Sequence, residues 1–176
     1  IEVMWSVQNC GDKDLYFQIG AHPAFYYRDL DANTCERGFL DFGKNTKTLK
    51  YISPAEKGCV SEKEHTLELH DGLMELTSDT FGCDTYIFEN GQVKKITLMD
   101  KQKVPYLRLE FSSPLGAGWA ASAAHPDVPF VCIEPWYGRC DKVGYHGEFK
   151  DREWMQHVEP GKSFEVGYSI ILEDVK

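Results

Sequence analysis

The strongest constraint on the fold is a hydrophobic period of two residues that recurs along the chain. Between positions 2 and 7, every second residue is Val3, Trp5 or Val7. Side chains on one face of a β-strand repeat every two residues, whereas those on one face of a helix repeat every 3.6 residues. Residues 93–99, 106–111 and 164–172 also have strand-like patterns. The period therefore predicts a chain built mainly from β-strands.

Short turns separate these strands. Turn-forming sequences rich in Asn, Asp, Gly or Pro occupy residues 9–12, 89–92, 100–103 and 159–162. Short helical pieces fit only near residues 73–77 and 151–154. Many strands joined by short turns predict an all-β sandwich or barrel. Because the chain has no repeat, low-complexity segment or linker, we expect one domain over residues 1–176.

Composition narrows the class of protein. A chain with 42% hydrophobic and 13% aromatic residues is expected to fold around a sizeable core. The net charge of −9 argues against nucleic acid or a basic membrane surface as a partner. No apolar run approaches the roughly 20 residues of a membrane span. The six cysteines form no C-x-x-C pair, so we expect reduced thiols, a cytoplasmic protein and no metal site.

Two short motifs contain residues suited to acid–base chemistry. His22 lies in GAHPAF, directly after an apolar run, and Glu134 follows the apolar run 129–133 and precedes Pro135. The run 129–133 predicts a buried strand, and Pro135 is expected to end its ladder. A carboxylate at such a position is costly unless it is paired, hydrated or used, and burial moves its pKa towards that of a general base.

Structural interpretations of both residues remain open at this point. Glu134 would also fit an exposed strand end, or a salt bridge with Arg139. His22 would also fit a core histidine bonded to a backbone carbonyl. Each residue is predicted at the end of a strand, and a sandwich brings strand ends together. The two motifs considered jointly therefore favour a shared site.

Four segments, in this order, are similar to one known family. They are SVQNCGDKDLYFQIGAHPAF (6–25), FGCDTYIFEN (81–90), VCIEPWYGRCD (131–141) and DREWMQHVEPGKSFEVGYSI (151–170). Together they resemble the aldose 1-epimerase (galactose mutarotase-like) family, in particular its LacX-like branch. The resemblance runs along nearly the whole chain and implies an antiparallel β-supersandwich.

The resemblance also implies an activity, the interconversion of the α and β anomers of a hexose. By motif match, Glu134 is the base at the C1 hydroxyl and His22 is the acid at the ring oxygen, on opposite sides of the sugar. Ring opening and reclosure with these two groups need no metal or organic cofactor. The partner implied is a small-molecule aldose sugar.

Further residues are candidates for holding the substrate. Asp84 matches a family aspartate that contacts sugar hydroxyls, although it also fits an ordinary loop residue. Trp136 and Tyr137 offer aromatic faces suited to a pyranose, and both also fit packing against the sandwich. Trp119 is a weaker candidate for the same cleft. His125 repeats the His-Pro dipeptide but follows no strand, so no role is predicted for it.

The resemblance departs from the family at the N-terminal side. Family members carry part of the sandwich, with an arginine and a further histidine that bind substrate, before the segment that this chain matches. We therefore expect an incomplete sandwich with open strand edges. Such edges favour pairing with a second copy, as a homodimer, or with a missing N-terminal segment.

Two alternative functions stay open. One is a non-catalytic carbohydrate-binding or sensing domain, because one fold can hold sugars without turning them over. The other is a hexose-6-phosphate 1-epimerase, which needs a basic pocket for the phosphate. Arg28, Arg37 and Arg139 are the cations near the two motifs, and they do not cluster in the sequence.

Overall fold

A computed structural model of the chain describes residues 1–82, 84–119 and 128–173, without the side chains of Lys57 and Trp119. This part is almost entirely β-structure, with two 3-10 turns at Glu56–Gly58 and Phe149–Asp151. The strands are β1 (Glu2–Gln8), β2 (Leu15–Phe17), β3 (Ile19–Gly20), β4 (Ala24–Tyr26), β5 (Glu36–Asp41), β6 (Thr48–Tyr51), β7 (His65–Glu68), β8 (Leu73–Thr77), β9 (Thr85–Phe88), β10 (Lys95–Met99), β11 (Pro105–Phe111), β12 (Leu115–Trp119), β13 (Phe130–Tyr137), β14 (Gln156–Val158) and β15 (Ser163–Leu172).

The larger sheet has six antiparallel strands in the order β1-β15-β11-β10-β5-β8. Exposed and half-buried residues alternate along the whole of β1, as the period of two predicts. The segments predicted at 93–99, 106–111 and 164–172 correspond to β10, β11 and β15. The short helix allowed near residues 73–77 is wrong, because this segment pairs with β5 as strand β8. Pairing to a neighbouring strand overrides weak helical propensity there.

The second sheet has five strands in the order β3-β13-β12-β9, and β4 also pairs with β13. The main hydrophobic core contains side chains from both large sheets, among them Leu98 and Leu109 from the six-stranded sheet and Val131 and Ile133 from β13. This arrangement confirms the antiparallel all-β supersandwich.

The opposite face of the five-stranded sheet has a smaller apolar cluster. It contains Ile52, Val60, Ile87, Leu115 and Ala117. The segment after β6 lies beside β9 at the edge of this sheet, where Ile52 bridges to Ile87 through paired backbone hydrogen bonds of 3.0 Å. Apolar side chains therefore pack on both faces of the five-stranded sheet, which explains why nearly all of β13 is buried.

The predicted turns and free thiols agree with the structure. Lys103 and Lys162 close turns by donating their backbone N–H groups to Asp100 and Glu159. The five cysteines in the described part are free. Within that part, no helix is both long and apolar enough to cross a membrane.

Candidate active site

The strand pairing of β13 places His22 directly opposite Glu134. Gly20 of β3 pairs with Trp136, and Ala24 of β4 pairs with Cys132. These two pairs share one antiparallel register, and the same register sets His22 against Glu134 at its centre. The sequence placed each residue at a strand end, but Glu134 lies within β13, which continues to Tyr137.

Two prolines open the hydrogen-bond ladder on either side of this pair. Ala21 N–H donates to Pro135 O (3.1 Å), and Ile133 N–H donates to Pro23 O (3.4 Å). The reciprocal bonds are absent because a proline nitrogen carries no hydrogen. His22 and Glu134 thus form a non-hydrogen-bonded pair, the type in which opposing side chains approach most closely. Pro135 does not end the strand as expected, because losing one donor still leaves its carbonyl in the ladder.

The two side chains meet at the boundary between protein interior and solvent. His22 Nε2 lies 3.5 Å from Glu134 Oε1, and the side chains are 62% and 1% exposed, respectively. Burial raises the pKa of the Glu134 carboxyl to about 8, an effect that the Trp136 side chain partly offsets and the Asp84 charge reinforces. Glu134 Oε2 is buried and has no hydrogen-bond partner among the described residues.

A cleft of about 420 Å³ opens beside this pair. Its volume falls in the range of small-molecule sites. Besides His22 and Glu134, it is lined by Gln18, Ile19, Gly20, Ala21, Pro54, Thr85, Ile87, Trp136, Gly138, Arg139 and Cys140. Most of these residues are apolar, so the few polar groups would fix the orientation of a bound molecule.

Trp136 forms one wall of the cleft. Its indole Nε1 donates to Ala21 O (3.1 Å). Pro135, which pairs with Ala21, has no N–H to donate to this carbonyl. A Cβ atom on Gly20 would lie 2.6 Å from Trp136 Cδ1, closer than real contacts allow. Gly20 is therefore required for the ring to lie against the strand next to His22. The predicted position of Trp136 in the site is compatible with this geometry.

Arg139 closes one end of the cleft through a buried charge network. Its side chain is 1% exposed and binds the carboxylates of Glu89 and Glu153, with Nε 2.6 Å from Glu89 Oε1. Trp154 Nε1 donates to the same Glu89 oxygen at 2.8 Å. The considered pairing of Arg139 with Glu134 is therefore not observed, because Arg139 is already satisfied by two other carboxylates.

The structure does not bring all the predicted residues into the cleft. Tyr137 lies on the opposite face of β13, where its hydroxyl contacts Ser112 (3.1 Å) and its ring packs edge-on against Trp5 and Phe164. This follows from strand alternation, since residues 136 and 137 point to opposite faces. The Trp119 side chain and His125 lie outside the described residues.

Asp84 lies immediately before β9 and is not among the residues that line the cleft. It has a left-handed φ of 77° and accepts a hydrogen bond from Thr85 Oγ1 (2.9 Å). Thr85 itself lines the cleft. Asp84 is exposed, so a direct contact with sugar hydroxyls remains a prediction.

Cys132 is a site residue that the sequence reasoning missed. It is 1% exposed, and burial raises the pKa of its thiol to about 12, with the Glu134 charge adding to the effect. Its thiol lies within 4.8 Å of the nearest donor atoms of His22 and Glu134. The sequence contained a signal for this residue, because residues 132 and 134 of one strand share a face.

Comparison with known proteins agrees with this arrangement. No family model matches the chain. A galactose mutarotase related enzyme from Lactobacillus acidophilus superimposes with a TM-score of 0.83 at 26% identity, covering 98% of this chain and 57% of that one. A galactose mutarotase-like protein from Lactobacillus casei gives the same TM-score at 21% identity, covering 98% of this chain and 58% of that one.

The fold is therefore galactose mutarotase-like. By sequence, the chain is homologous to LacX of Lactococcus lactis subsp. lactis, whose chromosomal form is 23% identical over 163 residues. That match covers 92% of this chain and 54% of LacX, so the chain spans about half the length of the curated relatives it matches. The resemblance predicted from the four sequence segments is confirmed.

Proposed function

We propose that the protein is an aldose 1-epimerase that interconverts the α and β anomers of an unphosphorylated hexose. The observation that carries this proposal is the adjacent pair of His22 and Glu134, 3.5 Å apart at the edge of a cleft of sugar size. Homology to LacX and the galactose mutarotase-like fold support it.

The reaction explains why the acid and the base are neighbours. The anomeric hydroxyl oxygen and the ring oxygen are both bonded to C1 of the sugar. Groups that act on these two oxygens must each come within about 2.6–3.2 Å of their target, and two neighbouring side chains can both do so. His22 and Glu134, paired directly across adjacent strand segments and 3.5 Å apart, meet this requirement.

Proton transfer follows from these positions. Glu134 removes the proton of the C1 hydroxyl while His22 protonates the ring oxygen, which breaks the bond between C1 and the ring oxygen. The aldehyde then rotates about the C1–C2 bond, and the ring closes on its other face. During closure His22 takes back its proton and Glu134 returns one to the C1 oxygen, so neither group is consumed.

The buried oxygen of Glu134 supports a polar ligand at this position. A buried acceptor without a partner destabilises a protein by about 1–3 kcal/mol, and by more when it is charged. Oε2 of Glu134 is such an acceptor among the described residues. A sugar hydroxyl would supply the missing donor.

The charges around the cleft favour a neutral sugar over a sugar phosphate. Arg139 reaches the cleft but already binds Glu89 and Glu153. Arg37 is 2% exposed and donates to the backbone carbonyl of Thr34 at 2.7 Å. Recognition of a phosphate needs cations that are available to pair with it.

Polarimetry of freshly dissolved α-D-glucose and α-D-galactose tests the proposal. We expect the protein to accelerate mutarotation, and Glu134→Gln or His22→Asn each to reduce the rate by about 10²–10⁴-fold. Matched controls are Glu75→Gln on β8 and His146→Asn, both exposed and neither among the residues that line the cleft. The controls should retain the full rate.

Two results would overturn this assignment. Sugar binding without acceleration would indicate the non-catalytic carbohydrate-binding alternative. Acceleration that survives both Glu134→Gln and His22→Asn would mean that other groups carry the proton transfers.

A further inference from the structure

Three side chains of different chemistry converge beside the cleft. The nearest donor atoms of His22, Cys132 and Glu134 all lie within 4.8 Å of one another. They form the one group of this kind in the part of the chain that the structure describes. Strand geometry explains the convergence, because His22 opposes Glu134 and Cys132 lies two residues away on the same face of β13.

We propose that these residues form a binding site for a zinc-class divalent cation, which competes with the sugar and inhibits the enzyme. Zinc bonds of about 2.0–2.3 Å to nitrogen, oxygen and sulfur imply donor atoms roughly 3.3–3.8 Å apart around a tetrahedral ion. His22 Nε2 and Glu134 Oε1 are already 3.5 Å apart. The Cys132 sulfur lies within 4.8 Å of donor atoms of both residues, so at most a small side-chain adjustment brings it to the same spacing.

The donor set selects the class of metal. Imidazole nitrogen and thiolate sulfur suit Zn²⁺ and its neighbours Co²⁺, Ni²⁺ and Cu²⁺, whereas Mg²⁺ and Ca²⁺ prefer oxygen donors. With three protein ligands, the fourth coordination position of the ion would remain open towards the cleft. The thiol of Cys132 releases its proton to solvent when the sulfur coordinates the ion.

A second, independent observation points to a ligand at the same place. Glu134 is 1% exposed, and its Oε2 atom is buried without a hydrogen-bond partner among the described residues. A cation bound to either carboxylate oxygen would offset the energetic cost of burying this group without a partner. Cys132, also 1% exposed, adds a donor held in place by the packed strand.

Inhibition is expected because the ion would be coordinated by the atoms that carry out proton transfer. This part of the proposal rests on the proposed function. Coordination takes the imidazole nitrogen that protonates the ring oxygen and the carboxylate that accepts the hydroxyl proton. A metal-bound site would therefore lack both the acid and the base. Cation binding itself does not depend on turnover.

Cobalt titration of the chelator-treated, desalted protein tests the site directly. We expect one equivalent of Co²⁺ to bind, with the near-ultraviolet absorption of a cobalt–thiolate bond, and Zn²⁺ to displace it. Cys132→Ser should abolish this absorption. The matched control Cys10→Ser alters an exposed cysteine and should leave it unchanged.

A second variant guards against misfolding of Cys132→Ser. The His22 side chain is largely exposed, so His22→Asn is expected to fold, and it should weaken Zn²⁺ binding at least tenfold in calorimetry. The site would be overturned if the parent protein showed no saturable metal binding. It would also be overturned if the cobalt–thiolate band persisted in folded Cys132→Ser.

Competition with the substrate is measured separately. Zn²⁺ should slow mutarotation at the concentrations that saturate the calorimetric site, and added sugar should raise the apparent Kd for zinc. Cobalt binding without any mutarotase activity would refute the proposed function and leave the metal site standing. Turnover that is insensitive to saturating zinc would refute the competition.

Discussion

The two large sheets of this protein follow different rules. In the six-stranded sheet, β1 pairs with β15 along its whole length, and exposure alternates residue by residue. In the five-stranded sheet, prolines interrupt the ladder on both sides of one residue pair, and a carboxylate is buried within an apolar strand. Along β1 and β15 the first sheet follows local strand preferences, and its two register irregularities lie elsewhere, at Leu98/Met99 and Glu36/Gly38. The second sheet breaks those preferences around His22 and Glu134.

This difference is what the proposed function predicts. Local rules of strand formation are expected to fail at functional sites, where a particular arrangement of groups matters more than regular packing. Here the irregular features coincide within one register: Pro23, Pro135, Gly20, His22 and Glu134. The same kind of substitution should therefore have different effects on stability and on the mutarotation rate in the two sheets.

Removal of a buried charge should give the largest difference between the two regions. Arg139→Ala removes the charged partner of the largely buried Glu89, while the half-exposed Glu153 keeps Lys142, and we expect a loss of about 3–5 kcal/mol in the free energy of unfolding. Arg108→Ala, in the six-stranded sheet, removes partly exposed salt bridges and should cost at most about 1 kcal/mol. Urea unfolding of both variants measures the contrast, and equal losses would contradict it.

Core truncation in the regular sheet should reduce stability without affecting the site. Leu109 is fully buried between β10 and β15, so Leu109→Ala should cost about 2–5 kcal/mol. Leu172→Ala, at a position that is 70% exposed, is the matched control. The mutarotation rate per folded molecule should stay at the parent value for Leu109→Ala. A specific loss of rate would show that the two sheets are coupled.

A single methyl group should disturb the irregular sheet in two ways. In Gly20→Ala the new Cβ atom would meet the Trp136 ring at 2.6 Å, so we expect about 1–3 kcal/mol of destabilisation together with a reduced mutarotation rate. In Gly118→Ala, on β12, the new atom would lie 3.6 Å from Phe81, an ordinary contact. Thermal melts and polarimetry of the two variants would show whether the cleft wall depends on Gly20.

Restoring a regular ladder should have the smallest effect on stability. Pro135→Ala supplies an N–H that can donate to Ala21 O, which now accepts from Trp136 Nε1. We expect the free energy of unfolding to change by less than about 1.5 kcal/mol, the net contribution of one hydrogen bond. The mutarotation rate should fall because the indole loses its anchor. An unchanged rate would show that the broken ladder plays no part in positioning Trp136.

Much of the fold could be predicted from the sequence because it depends on local patterns. The alternation in β1, β11 and β15 and the turn signals at 100–103 and 159–162 are properties of neighbouring residues. Residues 73–77 were misjudged because their strand state comes from pairing with β5, a partner more than thirty residues away. The placement of Tyr137 in the core, beside the cleft-facing Trp136, required knowledge of which face of β13 points inward.

The sequence by itself determined that the chain forms a β-sandwich and that His22 and Glu134 are unusual for their positions, because periodicity, prolines and a carboxylate after an apolar run are local features. Only the tertiary structure decided that these two residues face each other, that Cys132 joins them and that Arg139 is occupied elsewhere. The register between β13 and the segments β3 and β4 sets these relations. Register depends on the summed packing of both sheets, which no single motif encodes.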